Sequence, residues 1–174
     1  MTTASPQVYE PIEMTSTTEL AGFAELYARH YQAVFRAALR VTGNPADAED
    51  VLQTVFLRVL ARRGDDDVAD LPVAYFRRAA VNAAVDLLRR RAVHAETVYD
   101  ERLPQAAVEP TLLLKERLRR AVATLDNNDA TLFLLRHVEG LSIEELAGLF
   151  QLEKNNVAVR LHRIRHRLQA EMER

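Results

Sequence analysis

From Leu20 onward the apolar side chains return every third or fourth residue, and that spacing dictates what this chain can fold into. Leu20, Phe23, Tyr27, Tyr31, Val34, Phe35 and Leu39 fall along one helix. The run stops at "TGNP": Gly43 breaks the helix, Asn44 is suited to cap the next, and Pro45 fits its first position. The second helix carries Leu52, Val55, Phe56, Val59 and Leu60 on one face and Asp47, Asp50, Thr54 and Arg58 on another. Residues 63–72 read as a polar loop. A third helix follows, with Phe76, Ala80, Ala83, Ala84, Leu87 and Leu88 towards a core. These three helices make a small bundle.

The stretch from Ala92 to Pro110 holds two prolines and net negative charge with weak periodicity, and reads as a linker. Beyond it, Leu114, Leu118, Val122 and Leu125 mark one helix, and Leu132, Leu135 and Val138 a second that Gly140 ends. Ser142 with Glu145 three residues on is a capping box that opens "IEELAGLF". After the turn "QLEKNN", the last helix has a stripe of Val157, Leu161, Ile164 and Leu168. A short helix, a tight turn and a longer arginine-rich helix form a helix-turn-helix pattern. The reading is an all-α chain: a disordered leader over 1–18, a helical domain over 19–94, a flexible linker over 95–111, and a helix-turn-helix domain over 112–174.

Composition narrows the function. The 174 residues contain no cysteine, so disulfides and thiolate metal sites are excluded. The histidines lack metal-ligand spacing, and no Gly-rich phosphate loop or GxSxG is present. The sequence argues against an enzyme and calls for no cofactor. No apolar run is long enough to span a bilayer and the N-terminus does not resemble a secretory signal, so the expected compartment is the cytoplasm. The net charge of −2 conceals a pattern: residues 1–18 carry −2, 19–94 carry +1, 95–114 carry −3 and 115–174 carry +2. Acidity sits in the leader and linker, and arginines bunch on the helices.

Three charged faces stand out. On the last helix, Asn155, Ala158, Val159, His162, Arg163 and His166 lie opposite the apolar stripe, flanked by Arg160, Arg165 and Arg167. A recognition helix needs this layout, with one side to dock, one to meet base edges, and flanking cations for phosphates. Arg163 suits a guanine edge, Asn155 an adenine edge, and Val159 a thymine methyl. On the third helix Arg78, Asn82, Asp86 and Arg89 recur on one face, with Arg77, Arg90 and Arg91 at its ends. That face fits either a solvated salt-bridged surface or a grip on a sugar-phosphate backbone with an unstacked base. Asp47, Glu49 and Asp50 fit both a helix dipole and an acidic surface for a basic partner, and spacing does not separate the two.

These residues carry a resemblance. "FAELYARHYQAVFRAALRVTGNPADAEDVLQTVFLRVL", with its DAED…Q…F signature at Asp47 to Asp50, Gln53 and Phe56, resembles region two of the extracytoplasmic-function (ECF) group of bacterial RNA polymerase sigma factors. "AYFRRAAVNAAVDLLRRR" resembles the family's promoter-melting helix through Asn82, Asp86 and Arg89 to Arg91. "LRHVEGLSIEELAGLF" and "VRLHRIRHRL" are similar to the region-four helix-turn-helix. The resemblance implies a transcription initiation factor with two DNA contacts. Arg78, Asn82, Asp86, Arg89 and Arg90, with the 63–72 loop, would capture a flipped base of the −10 element. Asn155, Asn156, Val159, Arg160, His162, Arg163 and Arg165 would serve the −35 element. It further implies that Asp47, Asp50 and Gln53 dock on the β′ clamp helices of core RNA polymerase, that region four sits on the β flap, and that an anti-sigma factor holds the protein off.

The chain departs from the family pattern before the recognition helix, where Asn155-Asn156 replaces Gly-Thr; Asn155 is expected to take a left-handed turn conformation and Asn156 to cap. Ala158 and Val159 replace a basic residue and a serine, and Tyr75 stands where Trp is usual. Two rivals are a stand-alone helix-turn-helix regulator, which would bind its operator without polymerase, and a protein-binding adaptor.

Overall fold

The computed structural model describes residues 17–62, 71–97 and 110–173. The 63–70 loop and most of the expected leader and linker lie outside the described residues. Seven helices follow in order: α1 (Thr17–Thr42), α2 (Pro45–Ala61), α3 (Val73–Thr97), α4 (Pro110–Ala123), α5 (Asn127–His137), α6 (Ile143–Phe150) and α7 (Lys154–Met172). No strand occurs among the described residues.

Helices α1 to α3 form the first lobe. The α1–α2 corner is built as its sequence demands. Gly43 has φ +70°, Asn44 accepts a 2.9 Å bond from the Ala46 N–H, and Pro45 follows in the first turn. The α1 stripe differs from the expected one: Leu26, His30, Val34, Ala37, Ala38 and Val41 are buried, whereas Tyr27 and Tyr31 stay half exposed. Those tyrosines turn their rings along the helix surface, Tyr27 lying 4.6 Å from Phe56. Val51, Leu52, Val55, Phe56 and Val59 of α2 fill the interior with Phe76 of α3.

Helix α3 departs most from the amphipathic expectation. Val81 and Val85 are as buried as Ala80 and Ala84, while Leu87 and Leu88 are only partly covered. The cause is tertiary: α3 packs on α1 and α2 along one side and on α4 and α5 along the other. It is the shared wall of the two lobes. Their apolar interiors run together as one continuous core rather than two.

Helices α4 to α7 form the second lobe. Asp126 caps α5 by accepting from the Asp129 N–H at 3.0 Å, and the Ser142–Glu145 capping box of α6 forms in both directions. Such caps contribute about 1 kcal/mol each. Val157, Leu161, Ile164 and Leu168 of α7 are all buried, as their spacing requires. Two expectations fail here. Leu114 and Leu118 of α4 are exposed, because only the C-terminal end of that helix, at Ala121 and Val122, reaches the core. The turn before α7 is made earlier than the asparagines: Gln151 takes the left-handed conformation (φ 55°), and Leu152 returns a 2.9 Å bond to the Ala147 carbonyl. Glu153 stands at the N-cap without a side-chain cap bond. Asn155 and Asn156 therefore lie inside the first turn of α7 and neither turn nor cap the chain.

Candidate nucleic-acid interface

The outer face of α7 is built as the sequence lays it out. Asn155, Asn156, Val159, His162, Arg163, Arg165, His166 and Arg167 are all exposed, Val159 to 43%, while the opposite stripe is locked in the core. Arg160 is different. It bonds to Asp129 and lies 3.7 Å from Asp126, while Arg167 lies 3.6 Å from Asp129. These contacts tie the α5 cap to α7. Burial raises the Asp129 pKa against the pull of Arg160, and Asp126 adds to the rise. Burial works to raise Asp126 as well, but backbone and side-chain bonds from Asp129, with Arg160, leave it lowered. Asn156, Val159, Arg160 and Arg163 line a cationic concavity of about 460 Å³ on this face. His162 and His166, one turn apart, approach to 3.1 Å between their Nε2 atoms.

The second face lies on α3. Beside it, Val55, Arg58, Arg62, Tyr75, Arg78 and Asn82 line a cleft of about 350 Å³, and the Arg62 guanidinium donates to the Tyr75 hydroxyl at 2.9 Å. Four polar groups of α3, Arg78, Asn82, Asp86 and Arg89, are partly covered, and each of the four meets the second lobe. Arg78 donates to the Leu149 carbonyl at 2.5 Å and stacks 4.3 Å over the Phe150 ring. Asn82 accepts from the Thr131 hydroxyl, and Asp86 accepts from the Asn127 amide at 3.2 Å. Arg89 donates to the Ala123 carbonyl at 3.2 Å, to the Asn127 side-chain oxygen at 3.0 Å and to the Leu125 carbonyl. Arg90 is exposed. Outside this row, Glu139, whose side chain is 1% exposed, sits 2.8 Å from Arg40 and 3.8 Å from Arg77. Arg119 donates to the Val41 carbonyl at 3.0 Å.

The acidic helix splits its residues between two roles. Asp50 and Gln53 are exposed on α2. Asp47 is 2% exposed and bonds to Arg91 of α3, so its carboxylate holds the first lobe together. His30, also buried, stacks on Phe76 at 4.0 Å with both ring nitrogens unpartnered. Burial, then the nearby Arg29, lowers its pKa. Sequence reasoning missed Asn127, Thr131, Glu139 and Leu149. Their partners lie between 38 and 99 residues away, beyond any local spacing rule.

Among the described residues no group of three or more His, Asp or Glu could hold a metal, and no helix is long and apolar enough to cross a membrane. What the geometry offers is two arginine-bearing helical faces, one open and one covered, and an acidic patch on a third helix.

Comparison with known proteins agrees with this arrangement. Residues 26–93 match the family model for sigma-70 region 2, and residues 115–168 match that for sigma-70 region 4. The RNA polymerase sigma-E factor of Streptomyces avermitilis is 33% identical, over 89% of this chain and 87% of its own. The ECF RNA polymerase sigma factor SigW of Bacillus subtilis is 22% identical over 86% of this chain and 88% of its own. Among solved structures, CnrH in complex with the cytosolic domain of CnrY shares the fold, with a TM-score of 0.51, 24% identity and 87% coverage of both chains. The chain belongs to the ECF family of RNA polymerase sigma factors, the initiation subunits that bring core RNA polymerase to promoter DNA.

Proposed function

We propose that α3 and α7 are the −10 and −35 faces of this sigma factor and that α2 is its principal contact with the β′ clamp helices. Asn82 and Asp86, beside the α2–α3 cleft, receive the extruded base, and Arg78, Arg89 and Arg90 follow the strand. Extrusion costs a few kcal/mol, which pocket and backbone contacts offset. Asn155, Asn156, Val159, His162 and Arg163 meet the major groove. Arg165 serves phosphates, as does Arg160, which is also tied to Asp129. Asp50 and Gln53 dock on the polymerase, and Asp47 acts through Arg91. The region-four lobe sits on the β flap.

The observation that carries this reading is the exposed polar side of α7 opposite a fully buried stripe. The protein acts in the cytoplasm and contributes no catalysis of its own; the chemistry belongs to the polymerase. An anti-sigma factor, the partner that the family resemblance implies, completes the proposal. Its test is permanganate footprinting of promoter DNA with core polymerase plus the chain. Reactive thymines near −10 are expected with both components together. No reactive thymines with both components, while the chain alone protects duplex DNA, would point to a stand-alone regulator.

A further inference from the structure

His162 and His166 stand one turn apart on the exposed side of α7, with their Nε2 atoms 3.1 Å from each other and the rings at 79°. As a hydrogen bond this contact has little to hold it, since both rings are exposed and water competes for each nitrogen. As the bite of a chelate it has a definite meaning. A divalent ion bound by imidazole sits about 2.0–2.1 Å from each nitrogen. Two such bonds at about 90° to 110° to each other place the nitrogens about 2.9–3.4 Å apart. The observed separation falls inside that range. Two histidines at i and i+4 on one helix face are also the element from which helical metal sites are built. The sequence lacks the third ligand of a complete metal centre, and none joins the pair among the described residues.

We propose that His162 and His166 form a two-point chelate for a late first-row divalent cation, zinc, nickel or copper(II), and that a cation held there competes with duplex DNA for the α7 face. Imidazole nitrogen selects these ions over magnesium and calcium, which prefer oxygen. With two protein ligands, water fills the remaining positions, so the site loads and unloads rather than serving as a structural centre. Arg163 and Arg165, between the two histidines in sequence, repel a dication, but both are exposed and salt screens them. The competition follows from position and rests on the reading of α7 as the −35 face. Ala158 and Val159 lie one turn before His162, and their short side chains let the helix approach a base edge closely. A hydrated cation on the two Nε2 atoms fills that space and takes the ring nitrogen that His162 would offer to a base.

Copper(II) iminodiacetate is the probe, because its own ligand fills three copper positions and leaves neighbouring ones for a histidine pair. The untagged full chain is titrated by isothermal calorimetry, with helix content checked by circular dichroism. His162→Asn and His166→Asn should each weaken the tightest site at least tenfold, since either change leaves a single ligand. His94→Asn with His137→Asn should leave that site within twofold. If either variant of the pair keeps its affinity within twofold, the two rings act independently and the chelate is overturned. The competition is read from run-off transcription with core polymerase on a genomic fragment that the chain transcribes. His166→Asn keeps His162 and every group assigned to the duplex. The ratio of wild-type to His166→Asn product should fall at least fivefold when the probe saturates the site, and an effect on the polymerase itself would leave that ratio unchanged. A ratio within twofold of its starting value would overturn the competition. A wild-type chain that gives no transcript before the probe is added would instead sink the reading of α7 on which the competition rests.

Discussion

Thr131, fully buried on α5, donates its hydroxyl to the side-chain oxygen of Asn82 on α3, 49 residues away in sequence. One bond thus joins the heart of the region-four lobe to the residue read as the base-capture group of region two. The polar row of α3 is therefore not presented independently of the second lobe.

Asn82→Ala separates melting from polymerase binding. Core affinity, which depends on α2, should be unchanged. Promoter opening by the holoenzyme should fall by about fivefold or more, since a lost base contact is worth about 1–3 kcal/mol. The measurement is 2-aminopurine fluorescence at the −10 element. Normal opening by the variant would remove Asn82 from the mechanism.

The acidic helix should divide in the same way. Asp50→Arg is expected to weaken core binding several-fold in a fluorescence titration while leaving thermal stability intact, because Asp50 is exposed. Asp47→Asn breaks the buried end of the Asp47–Arg91 pair. With Arg91 more than half exposed, the loss is about 1–2 kcal/mol after allowance for solvent screening. That corresponds to a fall in Tm of about 2–8 °C. Equal thermal effects for both variants would mean that burial does not distinguish them.

Acid should loosen the fold through its histidines. Burial, then Arg29, lowers the His30 pKa; burial, then Arg165 and Arg136, lowers that of His137. The native state therefore binds fewer protons than the unfolded chain below the ordinary histidine pKa of about 6.5. Stability is complete above that value and declines as pH falls through it towards the depressed folded values. The urea midpoint should be lower at about pH 5.5 than at about pH 7.5. His30→Phe, which keeps a ring against Phe76, should flatten the dependence, and an unchanged slope would show that His30 is not its source.

Gly43→Ala tests the α1–α2 corner. A left-handed φ costs a side-chain-bearing residue about 1–2 kcal/mol, and the new methyl would meet the Arg119 guanidinium at 2.0 Å. Differential scanning calorimetry should show a Tm lower by about 2–8 °C. Arg119→Ala in the same background should recover only the steric part.

The helices were legible because capping and periodicity are local. Asn44, Pro45, Gly43 and the Ser142–Glu145 box each act within three residues, and they stand where the sequence puts them. The α7 stripe was legible for the same reason. The burial of Val81 and Val85 was not, since it arises from a helix having neighbours on both sides. The exposure of Leu114 and Leu118 has the converse origin, an amphipathic repeat whose partner covers only one end. The left-handed turn fell on Gln151 rather than Asn155 because the α6 carbonyls of Ala147 and Gly148 capture the chain first. As for the site, both arginine faces could be read from side-chain order. Their different fates could not: what covers α3 is assembled from groups 34 to 71 residues distant, and charge pattern alone does not tell a solvated face from an occupied one.

Run-off transcription on genomic fragments, with core polymerase in the presence and absence of the chain, tests the central claim most directly. The account predicts discrete transcripts with defined 5′ ends that appear only when the chain is added, and that Asn82→Ala diminishes. Identical products with core polymerase alone and with the chain added would contradict it.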